Sequence, residues 1–351
     1  MAASKPIEVA VVGAGPAGCV LAHRLAAGGA GVALFDPSHP REKVCAGGIG
    51  ARAREMFPEL EELVPLGRQG TGLRLVGPSG GMLQVSGEGK TFAIDRLILD
   101  RFLLDRAIAA GAEWHALKVT DIRRSTDGFT LVAGNRSWPV RVLVGADGVF
   151  SLVRKTFLGH IPKRHRAFGA HVLVDRLDPP SALLKFFGDR RGYAWVFNRR
   201  DRSSVGVGLP DSHRRDWREI LARFFAEQAP GRPLPRLLAW SLPQASGRDF
   251  FKLPTGGDDW LLIGDAAGHV DPLTGEGIWY AMWDGCLAAE AILAGQPSFY
   301  ENSWRDAYLE RFELHLRFAS LLERGRLLDL LFALGRFPAV GSRLFSLIGG
   351  K

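Results

Sequence analysis

Three glycines near the start of the chain, Gly13, Gly15 and Gly18 in "GAGPAG", have the spacing of a phosphate-binding turn. In a GxGxxG pattern after a strand, the first glycine allows a tight turn. The second lets the backbone approach a pyrophosphate, and the third lets helix and strand pack closely. The phosphates then meet free N–H groups at the helix N-terminus. Asp36 ends the next apolar run, where its carboxylate can accept from ribose hydroxyls. The segment therefore predicts a dinucleotide site.

Two further segments place a carboxylate directly after an apolar run. Asp147 lies in "GADGVFSLVRK", residues 145–155, and Asp265 lies in "LIGDAAGHVDPLTGEGI", residues 262–278. A carboxylate at a strand end can accept from cofactor hydroxyls. The glycine-rich turn at 275–277 can open a helix whose N-terminal amides favour an electron-rich group. Either segment alone would also suit an ordinary loop.

Cys45 lies in "KVCAGGIG", residues 43–50, just after the predicted nucleotide-binding unit. Cys19 and Cys286 are far away in sequence, so no CxxC pair or Cys/His cluster predicts a metal site, and the odd number does not predict a disulfide framework. A reducing cytoplasm is the expected location. Three interpretations of Cys45 stay open: a thiol that assists proton delivery, a residue that only shapes a pocket, and an inert loop residue.

The pattern of apolar residues predicts an α/β fold. Residues 7–36 are typical of the strand–helix–strand opening of a Rossmann-type domain, and an amphipathic helix is predicted over 95–110. Short strands separated by turn residues over 166–208 predict an inserted antiparallel β-sheet. C-terminal helices that pack on the core, or that meet lipid, are predicted by apolar residues recurring every four positions: Trp304, Tyr308, Phe312 and Leu316.

Length and composition are those of a soluble enzyme with a sizeable core. The chain has 351 residues, 46% of them hydrophobic, and a formal net charge of +8. No run of about 18 apolar residues predicts a membrane span, and no compact basic–aromatic module predicts nucleic-acid binding. The basic excess leaves open peripheral contact with the inner face of a membrane, or with an acidic electron carrier.

Two discontinuous domains and a C-terminal segment are expected. The expected boundaries are 1–75, 90–165 and 250–298 for the cofactor-binding domain, 76–89 and 166–249 for the substrate-binding domain, and 299–351 for the C-terminal helical segment.

Together these segments resemble the FAD-binding signature of flavoproteins with the p-hydroxybenzoate hydroxylase fold. The resemblance narrows to the geranylgeranyl reductase family, over roughly residues 7–295, through "KVCAGGIGARA", "DRLILDRFLLDRA", "GYAWVF" and "GDAAGHVDPLTGEGIWYAM". The family often has glycine where this chain has Ala46, and its larger members carry an additional C-terminal domain. The resemblance implies FAD as cofactor and a lipid-substrate cavity lined by Tyr193, Trp195, Phe197, Gly206 and Gly208.

The resemblance also implies which residues hold the FAD. An arginine in the pattern R-x-x-x-D, here Arg96 with Asp100, would reach the diphosphate or the ribityl chain, and Arg101 is a second candidate. The expected cofactor-binding residues are Gly13, Gly15, Pro16, Ala17, Gly18, Asp36, Lys43, Cys45, Ala46, Gly47, Arg96, Asp147, Gly148, Gly264, Asp265, Pro272, Gly275, Glu276, Gly277 and Ile278. Because the chain has no second GxGxxG, NADPH or NADH would dock transiently, unless a reductase or a ferredoxin-like electron carrier delivers the electrons.

The activity that the resemblance implies is reduction of C=C bonds in an isoprenoid or other hydrophobic substrate by hydride transfer from reduced flavin. Cys45 is the candidate catalytic residue, and His269 is another candidate proton donor. One alternative is a monooxygenase that hydroxylates or epoxidises through a flavin C4a-hydroperoxide, and another is a flavoprotein that only carries electrons. A flavin halogenase is disfavoured because "YAWVFN" lacks the paired tryptophans of that family's WxWxIP pattern. The fold alone does not separate these functions.

Overall fold

A mostly parallel β-sheet follows from the buried apolar runs. The computed structural model describes residues 6–39, 41–86, 90–177, 182–319 and 324–335. The strands of this first sheet are β1 (Ile7–Val12), β2 (Val32–Phe35), β8 (Glu113–His115), β9 (Val119–Ser125), β10 (Gly128–Ala133), β11 (Arg136–Gly145) and β17 (Trp260–Leu262). Their order is β8-β2-β1-β11-β10-β9, and β17 also pairs with β11. β8, β2, β1, β11 and β17 are parallel, whereas β10 and β9 are antiparallel.

Both faces of this sheet are covered, as its continuous apolar strands require. One face packs against α1 (Pro16–Ala27), α3 (Arg96–Ala109) and α6 (Ile278–Leu293). On the other face, apolar residues of β1, β2 and β11 form a second cluster with residues of β9, β10 and α4 (Leu152–Leu158). Val9 and Val11 point to the first side and Ala10 and Val12 to the second, which is the alternation expected of a strand.

A second sheet forms beside the first. Its strands are β5 (Gly72–Val76), β6 (Met82–Ser86), β12 (Arg166–Asp175), β13 (Ala182–Phe186), β14 (Tyr193–Asn198), β15 (Arg202–Pro210) and β16 (Leu238–Pro243). The order is β16-β12-β15-β14-β13-β5-β6. The predicted antiparallel sheet is confirmed with one difference, because β13 and β5 pair in parallel. These two strands are not joined by a hairpin, so no tight turn forces them to run in opposite directions.

Helix α5 (Trp217–Gln228) covers one face of the second sheet. Trp217, Leu221 and Phe225 are buried on it against Val196 and Val205. The opposite face of the sheet is turned toward Gly48 and the turn at Thr274. A third, small sheet consists of β3 (Gly48–Ile49), β7 (Phe92–Ala93) and β4 (Arg68–Gln69).

Short helices complete the described part of the chain. They are α2 (Ala51–Met56) and the 3₁₀ helices Pro58–Leu66, Lys163–His165, Asp211–His213, Arg248–Lys252 and Gly264–Ala266. The C-terminal part comprises α7 (Phe299–Trp304), a π-helical turn (Arg305–Leu309), α8 (Glu310–Ala319) and α9 (Gly325–Gly335).

The C-terminal helices pack on the core. Trp304, Tyr308 and Phe312 are buried, and Leu316 packs against them, so the apolar residues spaced by four positions face the protein interior. Residues 336–351 of the basic, apolar C-terminal segment lie outside the described residues. Among the helices that the structure describes, none is both long and apolar enough to cross a membrane.

Candidate functional site

The first glycine turn leaves room for a phosphate at one position only. A Cβ atom at Gly13 would lie 2.3 Å from the Ala146 carbonyl oxygen, and one at Gly18 would lie 2.0 Å from the Gly13 carbonyl oxygen. Only the Arg41 guanidinium, at 3.9 Å, comes near a Cβ placed at Gly15. Gly13, whose φ is 104°, and Gly18 therefore allow close packing, while the open side of Gly15 faces free space. Pro16 and Ala17 begin α1 and are buried.

Asp36 is held as an ionised carboxylate at the end of β2. It accepts from the Ala14 N–H at 2.9 Å, the Ser38 N–H at 2.8 Å and the Arg41 guanidinium at 2.9 Å. Burial by itself would raise the pKa of Asp36, but Arg41 and the hydrogen bonds outweigh it and lower the pKa to about 2.

Asp147 lies against the glycine turn. A Cβ atom at Gly13 would lie 2.7 Å from the Asp147 nitrogen. Asp147 Oδ2 accepts from the Leu152 N–H at 2.6 Å, while Oδ1 is buried without a hydrogen-bond partner in the described chain. Burial raises the pKa of Asp147 despite its hydrogen bonds. Gly148, with φ of 83°, turns the chain toward α4.

Asp265 completes a row of turns at adjacent strand ends. It forms an ion pair with Lys43 at 2.7 Å. A Cβ atom at Gly264 would lie 3.1 Å from the Ala17 Cβ, so this turn packs on α1. β1, β11 and β17 are parallel neighbours, and Gly13, Asp147 and Asp265 follow their carboxyl ends. Ligands of open α/β sheets bind at that edge.

The turn before α6 is fixed by side chains of the second sheet. Tyr193 donates to the Thr274 carbonyl at 2.6 Å, and Arg191 donates to the Pro272 carbonyl at 2.6 Å. A Cβ atom at Gly275, whose φ is 73°, would lie 2.9 Å from the Tyr193 hydroxyl. The turn therefore cannot move independently of β14.

Helix α6 presents its N-terminus next to this turn. Gly277 precedes Ile278, the first helical residue, and no side chain of the described chain caps the helix. The first N–H groups of α6 are thus available to a ligand. Glu276 lies nearby, 3.6 Å from a Cβ placed at Gly50, and burial together with Asp271 raises the pKa of its carboxyl group.

Arg96 and Arg101 lie on opposite sides of α3. Arg96 is buried and forms two hydrogen bonds of 2.7 Å with Asp100. Although burial opposes its charge, Asp100 and other nearby acidic groups raise the pKa of Arg96. Arg101 is exposed and pairs with Asp105 on the outer surface, so only Arg96 faces the interior.

Cys45 and its neighbours form a loop held by its backbone. The Cys45 carbonyl accepts from Arg199 at 2.9 Å and from Ser204 at 3.3 Å, while its half-buried thiol accepts from the Gly47 N–H at 3.3 Å. Ala46 is half-buried as well. Gly47 has a φ of 81°, and a Cβ atom there would lie 2.2 Å from the Ile94 carbonyl oxygen. Only glycine fits at that position.

A charged cluster that sequence reasoning missed lies behind this loop. Arg199 is fully buried and contacts Glu42 at 2.8 Å as well as Asp95, which Arg202 also contacts at 2.9 Å. In the sequence, Arg199 is one of several arginines in a turn, "NRRDR", and nothing local distinguishes it from an exposed residue.

A buried polar group lies beside the same loop. His171 contacts Ser204 at 2.8 Å, and the Trp195 indole donates to Ser204 at 3.0 Å. Burial, with a smaller effect of Arg199, lowers the pKa of His171 to about 3. His171 is therefore neutral at physiological pH.

Three aromatic residues of β14 share the face turned toward the glycine turns, as expected from their spacing of two. Tyr193 contacts the α6 turn, and the Phe197 ring lies 2.9 Å from a Cβ placed at Gly48. The Trp195 ring lies over β15, where a Cβ at Gly206 would be only 2.3 Å from it and one at Gly208 would be 3.6 Å away. The structure thus brings the predicted substrate-pocket residues together beside the Cys45 loop.

His269 is part of the core. It is buried and contacts Asp284 at 2.7 Å and the Tyr308 hydroxyl at 2.8 Å. Asp284 also accepts from the Gly264 N–H at 2.7 Å. These contacts show that His269 is a packed core residue. Through Asp284 it supports the turn that carries Asp265.

The described residues fit the FAD that the resemblance implies. The open side of Gly15, the unpartnered Oδ1 of Asp147 and the free N–H groups of α6 all call for a polar ligand along the same strand edge. Among the described residues, no group of His, Cys, Asp and Glu could hold a metal ion.

Comparison with known proteins agrees with this geometry. The family model described as lycopene cyclase protein matches residues 8–181. Digeranylgeranylglycerophospholipid reductase 1 of Methanopyrus kandleri is 30% identical over 90% of each chain. Geranylgeranyl diphosphate reductase of Rhodobacter capsulatus is 33% identical over 82% of this chain and 76% of that one.

Solved structures share the fold. A geranylgeranyl bacteriochlorophyll reductase-like protein from Thermoplasma acidophilum superposes with a TM-score of 0.80 at 21% identity, covering 97% of this chain and 98% of that one. A flavin-dependent brominase gives a TM-score of 0.79 at 19% identity, covering 99% and 94%. The motifs, the site at the strand edge and these relatives together show that the chain belongs to the geranylgeranyl reductase family of FAD-dependent oxidoreductases.

Proposed function

We propose that the protein reduces C=C bonds of an isoprenoid or other hydrophobic substrate with FAD as its cofactor. The observation that carries this proposal is the aromatic face of Tyr193, Trp195 and Phe197, which lies between the Cys45 loop and the α6 turn. An apolar wall beside a cofactor site suits a hydrocarbon chain, and two relatives are named for reduction of geranylgeranyl compounds.

In this proposal, the first sheet and its helices form the FAD-binding domain. Asp36 would accept from the ribose hydroxyls, and the backbone at Gly15 with the α1 N-terminus would hold the pyrophosphate. Asp147 and Asp265 would accept from hydroxyls of the ribityl chain, with Lys43 released from Asp265 toward the phosphates. The second sheet would be the substrate-binding domain.

When bound and reduced, FAD would supply the hydride for one carbon of the C=C bond. The free N–H groups of α6 would favour the electron-rich form of the cofactor through the helix dipole. Cys45 would deliver the proton to the other carbon, since its thiol lies in the loop that faces the aromatic wall. That wall would exclude water and hold the chain against the cofactor.

Reducing equivalents would come from a nicotinamide dinucleotide or a small electron carrier.

A row of rings leads from the site to α9. The ring centres of Tyr193 and Phe186 are 6.1 Å apart, and those of Phe186 and the buried Phe332 of α9 are 6.0 Å apart. The outer side of α9 exposes Leu330 and Leu334, at 54% and 42%. We infer that a lipid chain enters along this row and that α9 meets the membrane surface.

Product mass tests the proposal. The dithionite-reduced protein is mixed with a geranylgeranyl lipid under nitrogen, and the lipid is analysed by mass spectrometry. We expect a gain of two hydrogen atoms for each bond reduced. A product that forms only in air and contains a new oxygen atom would instead establish the monooxygenase alternative.

A further inference from the structure

Two large aromatic side chains are in contact on the protein surface. Phe150 is 45% exposed and Trp240 is 54% exposed. Their ring centres are 5.8 Å apart, in an edge-to-face arrangement at 81°. Single exposed apolar residues are common, but an adjoining pair of rings forms a patch that commonly binds a partner. Such a patch suits a flat, aromatic ligand.

The aromatic pair bridges the two domains. Phe150 follows Asp147 in the turn before α4, and Trp240 lies on edge strand β16 opposite Gly169 of β12. A Cβ atom at Gly169 would lie 3.3 Å from the Val44 side chain. The loop that carries Cys45 therefore passes next to Trp240. Ligand sites are frequent at such domain junctions.

A cation lies against this pair. The Arg166 guanidinium is 5.6 Å from the centre of the Phe150 ring. Its Nε is buried without a hydrogen-bond partner in the described chain, and the nearest carboxylate is Asp211, at 3.6 Å. Asp211 is shared with Arg214 at 3.2 Å, so it does not neutralise Arg166 alone.

The surrounding surface is also basic. Segments 163–166 and 211–215 pack together at the beginning and end of the paired strands β12 and β15. Apart from Arg166 and Arg214, they contribute Lys163, Arg164 and Arg215, while Asp249 pairs with Arg164 at 3.1 Å. The local excess of positive charge attracts an anionic ligand.

We propose that Phe150, Trp240 and Arg166 form the docking site of a nicotinamide dinucleotide that reduces the cofactor. The proposal rests on the function proposed above. One base would stack on the aromatic pair, and the positive charge of the Arg166 guanidinium would attract a phosphate. A hydride then passes from C4 of the dihydronicotinamide to the oxidised flavin, the nicotinamide becomes oxidised, and a proton from solvent completes the reduced flavin.

The composition of the site favours a dinucleotide over an acidic protein carrier. The elements that distinguish it are two rings and one guanidinium, all at the junction of the domains beside the Cys45 loop. A ligand that stacks on a surface rather than in a glycine-rich turn leaves after each reduction, as expected of a chain with a single GxGxxG.

Binding of NADP⁺ and of NAD⁺ to the FAD-loaded protein tests this site. We expect Phe150→Ala, Trp240→Ala and Arg166→Gln each to raise the Kd of the preferred dinucleotide about tenfold, as measured by calorimetry. Phe299→Ala and Arg123→Gln are matched controls, since both residues are exposed elsewhere. FAD absorbance and the rate of reduction by dithionite should be unchanged in all five variants.

The proposal is overturned if the wild type binds neither dinucleotide or if the three variants bind like the controls. It is also overturned if the three variants bind the dinucleotide normally but their flavin is no longer reduced by a reduced ferredoxin, because the surface would then bind a protein. Alkene reduction by the dithionite-reduced wild type is scored separately, so failure of the proposed function is distinguishable from failure of this site.

Discussion

At the residue scale, Cys45 is fixed through its carbonyl by Arg199 and Ser204, while its thiol accepts from the Gly47 N–H. The carbonyl of Cys45 thus fixes the position of the loop, whereas its thiol would take part in the reaction. Removal of the thiol should leave the loop in place, because the groups that hold the loop contact the backbone. That separation allows its chemical role to be tested.

We expect Cys45→Ala to lower the rate constant of alkene reduction roughly 100-fold, the size of a typical proton-transfer contribution. FAD absorbance should be retained. Single-turnover oxidation of the reduced protein by a geranylgeranyl substrate measures the effect, with Cys286→Ala as the control because Cys286 is buried within α6. Unchanged turnover in Cys45→Ala would assign this residue to shaping the pocket.

His171 should make the fold sensitive to acid. Its folded pKa of about 3 lies below the ordinary value of 6.5. Between these values the unfolded chain binds more protons, so stability is lost as the pH falls through this window. The positive charges of the nearby Arg199 and Arg202 further oppose protonation of His171. From pH 6 to pH 4, the free energy of unfolding should fall by about 2 kcal/mol from this group.

Urea unfolding of the wild type and of His171→Gln at several pH values checks this dependence. The variant should lose less stability between pH 6 and pH 4, because its side chain does not titrate. Parallel curves for the two proteins would show that His171 is not the group responsible.

Gly13, Gly18 and Asp36 were predictable because their roles depend on backbone geometry and strand order within thirty residues, which the motif encodes. Arg199 was not predictable, since its partners Glu42 and Asp95 are separated from it by more than a hundred positions. Only the approach of β14 and β15 to the Cys45 loop makes that arginine buried.

At the scale of elements, the C-terminal helices anchor the turns around the cofactor site. His315 of α8 contacts Asp271 at 2.6 Å, and Tyr308 of the π-helical turn donates to Asp284. Asp284 holds the Gly264 N–H. Such π-helical turns are frequent at functional sites.

Asp284→Ala should destabilise the protein by about 3 kcal/mol, because it leaves the Gly264 N–H and His269 buried without their acceptor. It should also weaken FAD binding, since the Asp265 turn loses its support. Urea unfolding and FAD titration measure the two effects. Asp306→Ala, an exposed change in the π-helical turn that carries Tyr308, is the control, and equal effects in both variants would contradict the anchoring role.

The βαβ opening and the C-terminal helix were predictable because their periodicities are strong. The parallel pairing of β5 with β13 was not, since it joins segments about a hundred residues apart and no local pattern fixes strand direction. Phe186 lies opposite Tyr193 in the local antiparallel pairing of β13 with β14, so the start of the proposed substrate path depends on neighbouring strands.

At the scale of the whole molecule, the proposed path runs from the domain junction to α9. Leu330 and Leu334 lie on the outer side of this helix, and Arg324 and Arg326 lie at its beginning. Apolar residues flanked by basic ones are typical of a surface that meets anionic lipid. The formal net charge of +8 would also attract the protein to an anionic surface.

Leu330→Asp with Leu334→Asp should reduce binding to anionic vesicles at least tenfold, because the change removes two exposed leucines that would insert and adds two negative charges that anionic lipid repels. Sedimentation with phosphatidylglycerol vesicles measures this change. Leu293→Asp is the control because Leu293 is exposed on α6. If the double variant sediments like the control, α9 is not the membrane-facing element.

Anaerobic oxidation of the photoreduced protein tests the central claim most directly. The flavin is reduced by light, a geranylgeranyl lipid is added without oxygen, and the flavin absorbance is followed. We predict that one equivalent of flavin is reoxidised for each C=C bond saturated. Flavin that stays reduced until oxygen is admitted, with no saturated lipid formed, would contradict the proposed function.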